Sequence, residues 1–407
     1  MNGKPNYLFC LIFILSGNAF AQTAFITGQS GSSNPITTAV PFVSFAPDSR
    51  GSAMGDAGVA TSPDVYSTHW NNAKLAFVEK DMGFSFSYSP WLGKIVDDMS
   101  LNYLTFYKKI DRIQTFGASL RYFDLGEIAK TDVQGLPIGT ENPRELAVDV
   151  TYSRKLTEQM SIALTTRFIW SNLTGDLTGA SGAKNGTSVA VDLGYYYTQP
   201  MKFGGLDSKL SLGAHISNFG QKITYSTDAN EDFIPCNLRL GTAFTTNLDP
   251  YNTITLVFDA NKLMVPTPPI YELDANGQLV KDANDNYVIA KGKDPNRPLL
   301  SGTFGSFGDA PGGFSEEIKE ITLSMGTEYW YRDVFAIRAG YFKESKIKGN
   351  RQYFTAGIGF RYQVFGVDFS YLIPRQNNHP LGDTLRLSFL FNLDKDEPTF
   401  EEVENGG

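Results

Sequence analysis

Cysteine, histidine and long apolar runs are all scarce in this sequence of 407 residues. There are two cysteines, Cys10 and Cys236, and three histidines, His69, His215 and His379. So few of these side chains exclude a disulfide framework and leave little for a cysteine–histidine metal site. No apolar run reaches the roughly 18 residues of a transmembrane helix. The formal net charge of −8, without a cluster of Lys and Arg, also argues against nucleic acid as a partner.

The first 21 residues have the pattern of a secretory signal peptide. Lys4 is the only charge before position 48, and an apolar core runs from Tyr7 to Leu15. Ala19-Phe20-Ala21 then supplies the small residues that signal peptidase accepts, so we expect Gln22 to be the mature N-terminus. Cys10 lies inside the apolar core and not at its end, which argues against a lipoprotein. We therefore predict an exported chain with one remaining cysteine, buried as a small hydrophobe.

From residue 82 onward, apolar and polar residues alternate in segments that turns separate. A period of two places successive side chains on opposite faces of a strand. The last segment shows the pattern most clearly, with Leu385, Leu387, Phe389, Phe391 and Leu393 set against Thr384, Arg386, Ser388 and Asn392. One apolar and one polar face per strand indicates a wall between hydrocarbon and a polar interior.

Fourteen segments have this alternation, and each is long enough for a tilted membrane strand, which needs about 9–11 residues. Their predicted bounds are 82–92, 98–110, 114–128, 144–156, 160–173, 188–199, 208–219, 234–247, 251–264, 319–332, 334–344, 352–364, 366–374 and 383–394. An open sheet edge is costly where no water can satisfy it, so the strands must close. The sequence predicts an all-β fold, a 14-stranded transmembrane antiparallel β-barrel over 82–394.

Long and short connections alternate between these segments. The long ones include 129–143, 174–187, 220–233 and 265–318, and the short ones include 111–113, 157–159 and 248–250. Only the turn near 200–207 is of middling length. Because outer-membrane barrels have long extracellular loops and short periplasmic turns, we predict an outer-membrane location, both termini in the periplasm, and 265–318 as a long extracellular loop.

Residues 22–81 lack the alternation, and several inward strand positions are charged. These charges include Arg121, Asp149, Arg167, Asp192, Glu328, Arg338, Arg361, Asp368 and Arg386. Fourteen strands enclose more space than the eight-stranded barrels that their own side chains fill. We interpret the charges as an ion-pair network in the lumen, with a dedicated ligand site as the alternative. We expect 22–81 to be an N-terminal plug inside the barrel, and 395–407 to be a disordered acidic tail in the periplasm.

The expected plug contains a motif, residues 48–77, that resembles the N-terminal signature of the FadL-like barrel superfamily. In that signature an Arg precedes Met-Gly, a Gly-Val-Ala follows, and Trp-Asn-x-Ala-x-Leu closes the motif. The matching residues are Arg50, Met54, Gly55, Gly58, Val59, Ala60, Trp70, Asn71, Ala73, Leu75 and Ala76. Asn72 and Lys74 depart from the signature, since the superfamily usually has proline and glycine there. Glycines suit places where backbone packs tightly against a barrel wall.

Within that superfamily, the mature chain most resembles the PorV family of the type IX secretion system of Bacteroidetes. The resemblance implies a barrel without catalysis or cofactors. Such proteins bind secreted cargo that carries a conserved C-terminal domain. They take it from the SprA/Sov translocon barrel and present it to the PorU-containing attachment complex at the cell surface. The implied partners are these two complexes and the cargo, together with outer-membrane lipid.

The connection 265–318 is where we expect partner binding, because loops of more than about 15 residues are uncommon unless they are functional or disordered. Phe304, Phe307 and Phe314 stand among glycines there, and exposed rings suit protein recognition. The alternative is a loop that folds over the barrel mouth and hides these rings. We interpret the acidic and amide residues as turn residues, because their spacing does not fit an EF-hand; they are Asp274, Asn276, Asp282, Asn284 and Asp285.

Two other functions compete with cargo binding. The FadL resemblance alone implies a transporter of hydrophobic small molecules, which needs an apolar pocket between the outer loops and an opening in the wall. An outer-membrane hydrolase needs a nucleophile, and no Gly-x-Ser-x-Gly turn occurs in a strand-to-helix setting. His69 falls in the expected plug, His379 in a loop, and His215 at an inward strand position that lumen lining explains. We therefore predict no catalytic residue and no metal site.

Overall fold

The computed structural model describes residues 23–24, 33–93, 95–173, 183–227, 231–375, 382 and 384–394. The predicted signal peptide, the acidic tail 395–407 and His379 lie outside these residues. Across the described ranges, the helices are all too short or too polar to cross a membrane.

Fourteen antiparallel strands close into a barrel, and each strand pairs with its neighbours along the chain. The first and last strands complete the ring, with Met82 opposite Leu393 and Tyr88 opposite Leu387. The strands are β1 (Met82–Pro90), β2 (Ser100–Lys109), β3 (Gln114–Asp124), β4 (Arg144–Lys155), β5 (Met160–Asn172), β6 (Gly186–Phe203), β7 (Leu206–Gly220), β8 (Asn237–Asp249), β9 (Asn252–Leu263), β10 (Ile321–Tyr331), β11 (Phe335–Lys343), β12 (Gln352–Tyr362), β13 (Phe365–Pro374) and β14 (Leu385–Leu393). The predicted fold class is confirmed. The largest boundary differences, of four residues, are at the ends of β3 and β6.

The alternation in sequence becomes two chemically different barrel faces. In β5, Ile162, Leu164 and Phe168 point outward and are about half exposed, whereas Thr165 and Arg167 point inward and are buried. The outward face is apolar and the inward face is polar, as contact with hydrocarbon on the outside requires.

The two ends of the barrel differ in the length of their connections. One end, which we call the long-loop end, carries 91–99, 125–143, 173–185, 221–236, 264–320, 344–351 and 375–384. The other, the short-turn end, carries 110–113, 156–159, 204–205, 250–251, 332–334 and 363–364. Long and short connections alternate as the sequence predicts, and 264–320 is the longest of them.

One connection differs from its predicted form. The turn expected at 200–207 is a two-residue turn at Gly204 and Gly205, whose φ angles are 57° and 86°. Two glycines let both central residues of a tight hairpin take positive φ, so the flanking strands continue up to the turn. The connection 125–143 contains a small hairpin formed by Ile128–Thr131 and Pro137–Glu141.

Residues 40–78, which we call the inner segment, run through the barrel interior. The segment contains α1 (Ser49–Ala53), α2 (Ser67–Trp70) and two 3-10 turns, Pro41–Ser44 and Asn72–Phe77. Its hydrogen bonds reach inward-facing side chains of eight strands, namely Thr105, Arg121, Ser153, Thr165, Asp259, Glu328, Thr355 and Ser388. Since these partners surround it, the inner segment occupies the lumen.

Strand glycines allow the inner segment to approach the wall closely. A Cβ atom at Gly340 of β11 would lie 2.1 Å from the backbone nitrogen of Gly55, and one at Gly194 of β6 would lie 1.9 Å from Asn72 Oδ1. No side chain tolerates such distances. Gly55 itself has a φ of 73°, a conformation that glycine adopts without strain.

Gly340→Ala should therefore destabilise the barrel by roughly 1–3 kcal/mol, as overpacking of a tight interior does. The measurement is the temperature at which the folded protein loses its compact migration on an SDS gel. Gly308→Ala is the matched control, because a Cβ atom there would meet no atom within 4 Å. Equal unfolding temperatures for the two variants would contradict the close approach.

Candidate binding site

Asp48 organises the first part of the inner segment. Its carboxylate accepts a hydrogen bond from the backbone nitrogen of Gly51 at 2.8 Å, which caps α1, and another from Trp70 Nε1 at 2.6 Å. The indole lies so close to Gly51 and Gly58 that Cβ atoms there would come within 2.4 and 2.5 Å of it. Asp48, Gly51, Gly58 and Trp70 therefore form one packing unit.

Arg50 joins this unit to the barrel wall. Its guanidinium donates to both carboxylate oxygens of Glu328 in β10, at 2.9 and 2.6 Å, and to Asp64 at 2.7 Å. Glu328 also accepts from Arg338 Nε at 2.7 Å, and Arg338 donates to Asp368 at 2.8 Å. A buried carboxylate with this many charged donors holds the inner segment to β10 and β11.

The other signature residues also contact the wall. The Gly55 nitrogen donates to Thr355 Oγ1 at 2.9 Å, and the Met54 backbone packs against Gly326. Asn71 Nδ2 donates to the carbonyl oxygens of Val59 and Tyr195, at 3.1 and 2.9 Å. The structure thus brings Arg50, Met54, Gly55, Gly58, Trp70 and Asn71 together in the lumen.

Both departures from the signature have structural partners. Asn72 Nδ2 donates to Thr165 Oγ1 at 2.8 Å. Lys74 is fully buried, and its Nζ donates to the carbonyl oxygen of Gly58 at 2.7 Å and to Thr61 Oγ1 at 2.9 Å. Both substitutions therefore add polar contacts inside the barrel where proline or glycine could not.

Ion pairs account for most of the inward charges. Arg167 pairs with Asp149 at 2.7 Å and with Asp192 at 3.0 Å. Arg121 differs, because its guanidinium donates to the carbonyl oxygen of Val43 and contacts His69 Nδ1 at 2.8 Å. The interpretation of an ion-pair network is thus correct for these strands, and the network is packed against the inner segment.

A cavity of about 500 Å³, which we call the vestibule, lies between the inner segment and the long-loop end. Its aromatic lining includes Trp70 and Trp91. Its charged lining consists of Asp56, Arg239, Glu320, Glu344, Lys348, Arg351 and Arg386. Four of these side chains are basic and three are acidic, so the lining carries one net positive charge.

Arg386 is a basic residue of the vestibule that lacks a partner among the described residues. It is 5% exposed, and its Nε has no hydrogen-bond partner. Within the residues that the structure describes, its guanidinium forms no hydrogen bond or ion pair. Arg351 and Lys348, by contrast, pair with Glu344 and Glu320 at 2.8 and 2.9 Å. A buried, unpaired guanidinium at a cavity surface is a ready contact for an anionic group.

An ion cluster fixes the 264–320 connection to the rim of the barrel. Lys262, which follows Leu256, Phe258 and Ala260 on the outward face of β9, donates to Glu317 at 3.2 Å and to Glu320 at 2.5 Å. We call this group, with Glu316 and Lys348, the rim cluster. It lies partly outside the wall, so the connection wraps over the rim there.

Lys348 extends the rim cluster to the neighbouring 344–351 connection. It pairs with Glu316 at 2.6 Å and with Glu320 at 2.9 Å. Burial acts to raise the pKa of Glu316, but the hydrogen bond and ion pair with Lys348 outweigh it and hold that pKa below its usual value. Glu316 therefore keeps its charge, and the two connections are held together.

The three predicted partner-binding rings lie on the outside of the rim. Phe304 lies in α3 (Leu299–Gly305), and the centre of its ring is 6.3 Å from that of Phe219 in β7. Phe314 begins α4 (Phe314–Glu317), and Phe307 lies between the two helices. Phe304, Phe307 and Phe314 are 60%, 48% and 80% exposed. The alternative of a loop that hides the rings over the mouth is therefore wrong, because the rim cluster draws this part of the connection over the outer wall.

The acidic and amide residues of the 264–320 connection form turns. Asp274 Oδ1 accepts from the backbone nitrogens of Asn276 and Gln278, and Asp282 Oδ1 accepts from those of Asn284 and Asn286. Such side-chain to backbone bonds are typical of turns.

The two described histidines are both buried in the lumen. His69 lies between Arg121 and Arg239, and neither ring nitrogen of His215 has a hydrogen-bond partner in the described ranges. A hydrolytic triad requires an imidazole that is hydrogen-bonded to a serine and to a carboxylate. Within the described ranges, neither imidazole forms such a bond.

The sequence reasoning missed the rim cluster. The sequence feature that indicates this cluster is Lys262, a charged residue at an outward position of an apolar strand face. Such a residue needs a nearby counter-charge, and Glu316, Glu317 and Glu320 stand immediately before β10, the strand that pairs with β9.

Glu320→Gln should release the 264–320 connection, because it removes a carboxylate that both lysines of the rim cluster share. Breaking a buried pair costs about 3 kcal/mol, so trypsin should cut within 264–320 much faster than in the wild type. Glu272→Gln, at an exposed position of the same connection, is the control and should leave the rate unchanged. Equal cleavage rates for the two variants would refute the anchoring role.

Comparison with protein-family models gives one match. The model described as Type IX secretion system protein PorV matches residues 28–270, which is more than half of the chain. The matched range contains the whole inner segment and strands β1 to β9. A search of the curated proteins found no match.

The similar solved structures include two toluene transporters and a FadL homologue. The toluene transporter TbuX of Ralstonia pickettii is 12% identical, with a TM-score of 0.43, over 86% of this chain and 98% of that chain. The toluene transporter TodX of Pseudomonas putida is 12% identical, with a TM-score of 0.44, over 84% and 96%. A FadL homologue of Pseudomonas aeruginosa is 10% identical, with a TM-score of 0.42, over 88% and 99%. No function follows from similarity at these levels.

Proposed function

The chain belongs to the family of the type IX secretion system protein PorV, and we propose that it binds secreted cargo that carries a conserved C-terminal domain. It receives this cargo from the SprA/Sov translocon barrel and delivers it to the PorU-containing attachment complex. Family and fold together make it an outer-membrane barrel of a secretion system, and neither is that of an enzyme family.

The observation that carries this proposal is a filled lumen beneath an open vestibule. The inner segment contacts eight strands and leaves the vestibule at the long-loop end. A barrel with a packed interior is suited to docking a protein at its mouth more than to conducting one through its lumen. Cargo transfer between two other complexes needs docking of this kind.

The proposed orientation puts the long-loop end outside the cell. The first residue of β1 and the last of β14 pair with each other at the short-turn end, where Lys80 and Asp394 form an ion pair of 2.6 Å. The C-terminal end of β14 would then face the periplasm. Thr23 and Ala24 instead pair with Glu272 and Tyr271 of the 264–320 connection, so the expectation that the N-terminus is also periplasmic is wrong in this orientation. Cargo would meet the vestibule and the loops from the cell surface.

Two surfaces are proposed for the contacts. The vestibule offers Arg386 to an anionic group of the cargo, because this guanidinium has no partner among the described residues. Phe304 and Phe314 present exposed rings on the side of the rim, where a second barrel in the same membrane could contact them. Aromatic residues supply large contact areas in protein interfaces.

The alternative is a transporter of hydrophobic small molecules. The vestibule favours it to some extent, since Phe45, Trp70 and Trp91 line the cavity. A transporter also needs a path past the inner segment, which the ion pairs and close packing of Arg50 and Gly55 oppose. Cargo docking therefore explains the filled lumen better.

Arg386→Gln should weaken the binding of a purified cargo C-terminal domain to the detergent-solubilised barrel by about tenfold or more, because hydrogen bonds to a charged group contribute about 1.5–3 kcal/mol. Arg332→Gln is the matched control, since Arg332 is exposed at the short-turn end. Binding affinity is measured on immobilised barrels.

Two outcomes would contradict the proposal. One is a wild-type barrel that never co-purifies with the translocon, the attachment complex or cargo. The other is uptake of a hydrophobic small molecule into vesicles by a barrel that binds no cargo domain, which would favour the transporter.

A further inference from the structure

A groove of about 260 Å³ lies on the outside of the barrel, beneath the 264–320 connection. One wall is the outward face of β8 and β9, with Leu238, Leu240 and Ala260. The other wall is formed by Phe307, Phe314 and Ile318. The groove is at the long-loop end, because Leu238 is the second residue of β8.

The rim cluster holds this groove open. Lys262 lies at its floor, bound to Glu317 and Glu320 and 5.4 Å from the centre of the Phe307 ring. These ion pairs fix the distance between the connection and the wall. The side chains above cannot close onto β8 and β9, and Phe314, Ile318 and Leu240 remain 80%, 52% and 51% exposed.

The lining restricts what can fill the groove. The two charged lining residues, Lys262 and Glu317, neutralise each other, so they offer no free charge to a ligand. The remaining surface is almost entirely apolar. A cavity of roughly 10–15 Å³ already admits a water molecule, which needs polar partners. This groove offers few polar partners and has room for a much larger apolar group.

The groove is continuous with the surface that faces hydrocarbon. Leu240 lies on the same outward face as Leu256 and Phe258 of the neighbouring β9, and both of those side chains are also exposed. A chain of a bilayer lipid can therefore pass from the barrel surface into the groove without leaving an apolar environment. A protein partner would reach the groove only in the complexes it visits, whereas lipid surrounds it at all times.

We propose that the groove is a binding site for a lipid acyl chain, which lies between β8–β9 and the 264–320 connection. The occupied groove supports the connection from below and leaves the outer sides of Phe304 and Phe314 available. Its place in the extracellular leaflet rests on the proposed orientation. The site does not depend on cargo binding, so cargo experiments and lipid experiments can fail separately.

The test uses the mature chain in nanodiscs that contain a phosphatidylethanolamine with a photoreactive diazirine in its acyl chain. After illumination, lipid adducts are mapped to peptides by mass spectrometry. The peptides that contain Leu240, Phe307 and Phe314 should carry several-fold more adduct than peptides from other outward strand faces. Equal adduct on all outward faces would mean ordinary surrounding lipid and would overturn the proposal.

Ala260→Phe fills the groove with a ring and should abolish the excess of adduct on those peptides. Ala118→Phe is the matched control, since Ala118 lies on the outward face of β3 away from the groove; it should leave the excess unchanged. Compact migration on an SDS gel shows that both variants fold.

Phe314→Ala removes one wall of the groove without altering a barrel strand, and it should also lower the excess of adduct. An unchanged excess in both Ala260→Phe and Phe314→Ala would overturn the proposal. The proposal would also be overturned if a second copy or another protein covered the groove in the wild type and was lost in Ala260→Phe. The occupant of the groove would then be a protein and not a lipid.

Discussion

The ion pairs of Arg50 with Glu328 and Asp64 are the interaction on which the rest of the structure depends. A closed barrel of this width has a lumen that its own side chains cannot fill. The inward charges of the strands would be costly there without partners. Arg50 of the inner segment supplies such a partner for Glu328. Glu328 also pairs with Arg338 of β11, which in turn pairs with Asp368 of β13. The inner segment therefore pairs the inward charges and fills the lumen at the same time. The vestibule is the space that remains between this segment and the long-loop end.

The same kind of interaction acts outside the wall. Lys262 stands on a face that otherwise meets hydrocarbon, and its pairing with Glu317 and Glu320 draws the longest connection over the rim. The connection therefore presents its aromatic rings sideways, in the plane of the membrane, and away from the vestibule. The proposed docking can use this division, since cargo would meet the vestibule at the mouth while lipid or a neighbouring barrel would meet the rings at the side.

The strands could be predicted from the sequence because their signal is local. The alternation of Leu385, Leu387 and Phe389 with polar residues needs no knowledge of distant parts of the chain. The tight turn at Gly204 and Gly205 was missed because flanking residues such as Pro200 and Lys202 interrupt the alternation before the turn. The position of the 264–320 connection could not be predicted in the same way. It depends on Lys262 meeting Glu320 and on Glu320 meeting Lys348, contacts between residues 58 and 28 positions apart.

The coupling between Arg50 and Glu328 tests this account most directly. The measurement is the free energy of unfolding of the detergent-solubilised barrel for Arg50→Gln, Glu328→Gln and the double variant. Each single variant should lose about 3–5 kcal/mol, since it leaves a buried charge without its partner. The double variant should lose less than the sum by more than about 1 kcal/mol, as residues in direct contact do. Losses that add to within roughly 0.5 kcal/mol would contradict the account, because the inner segment would then not be held in the lumen by this pair.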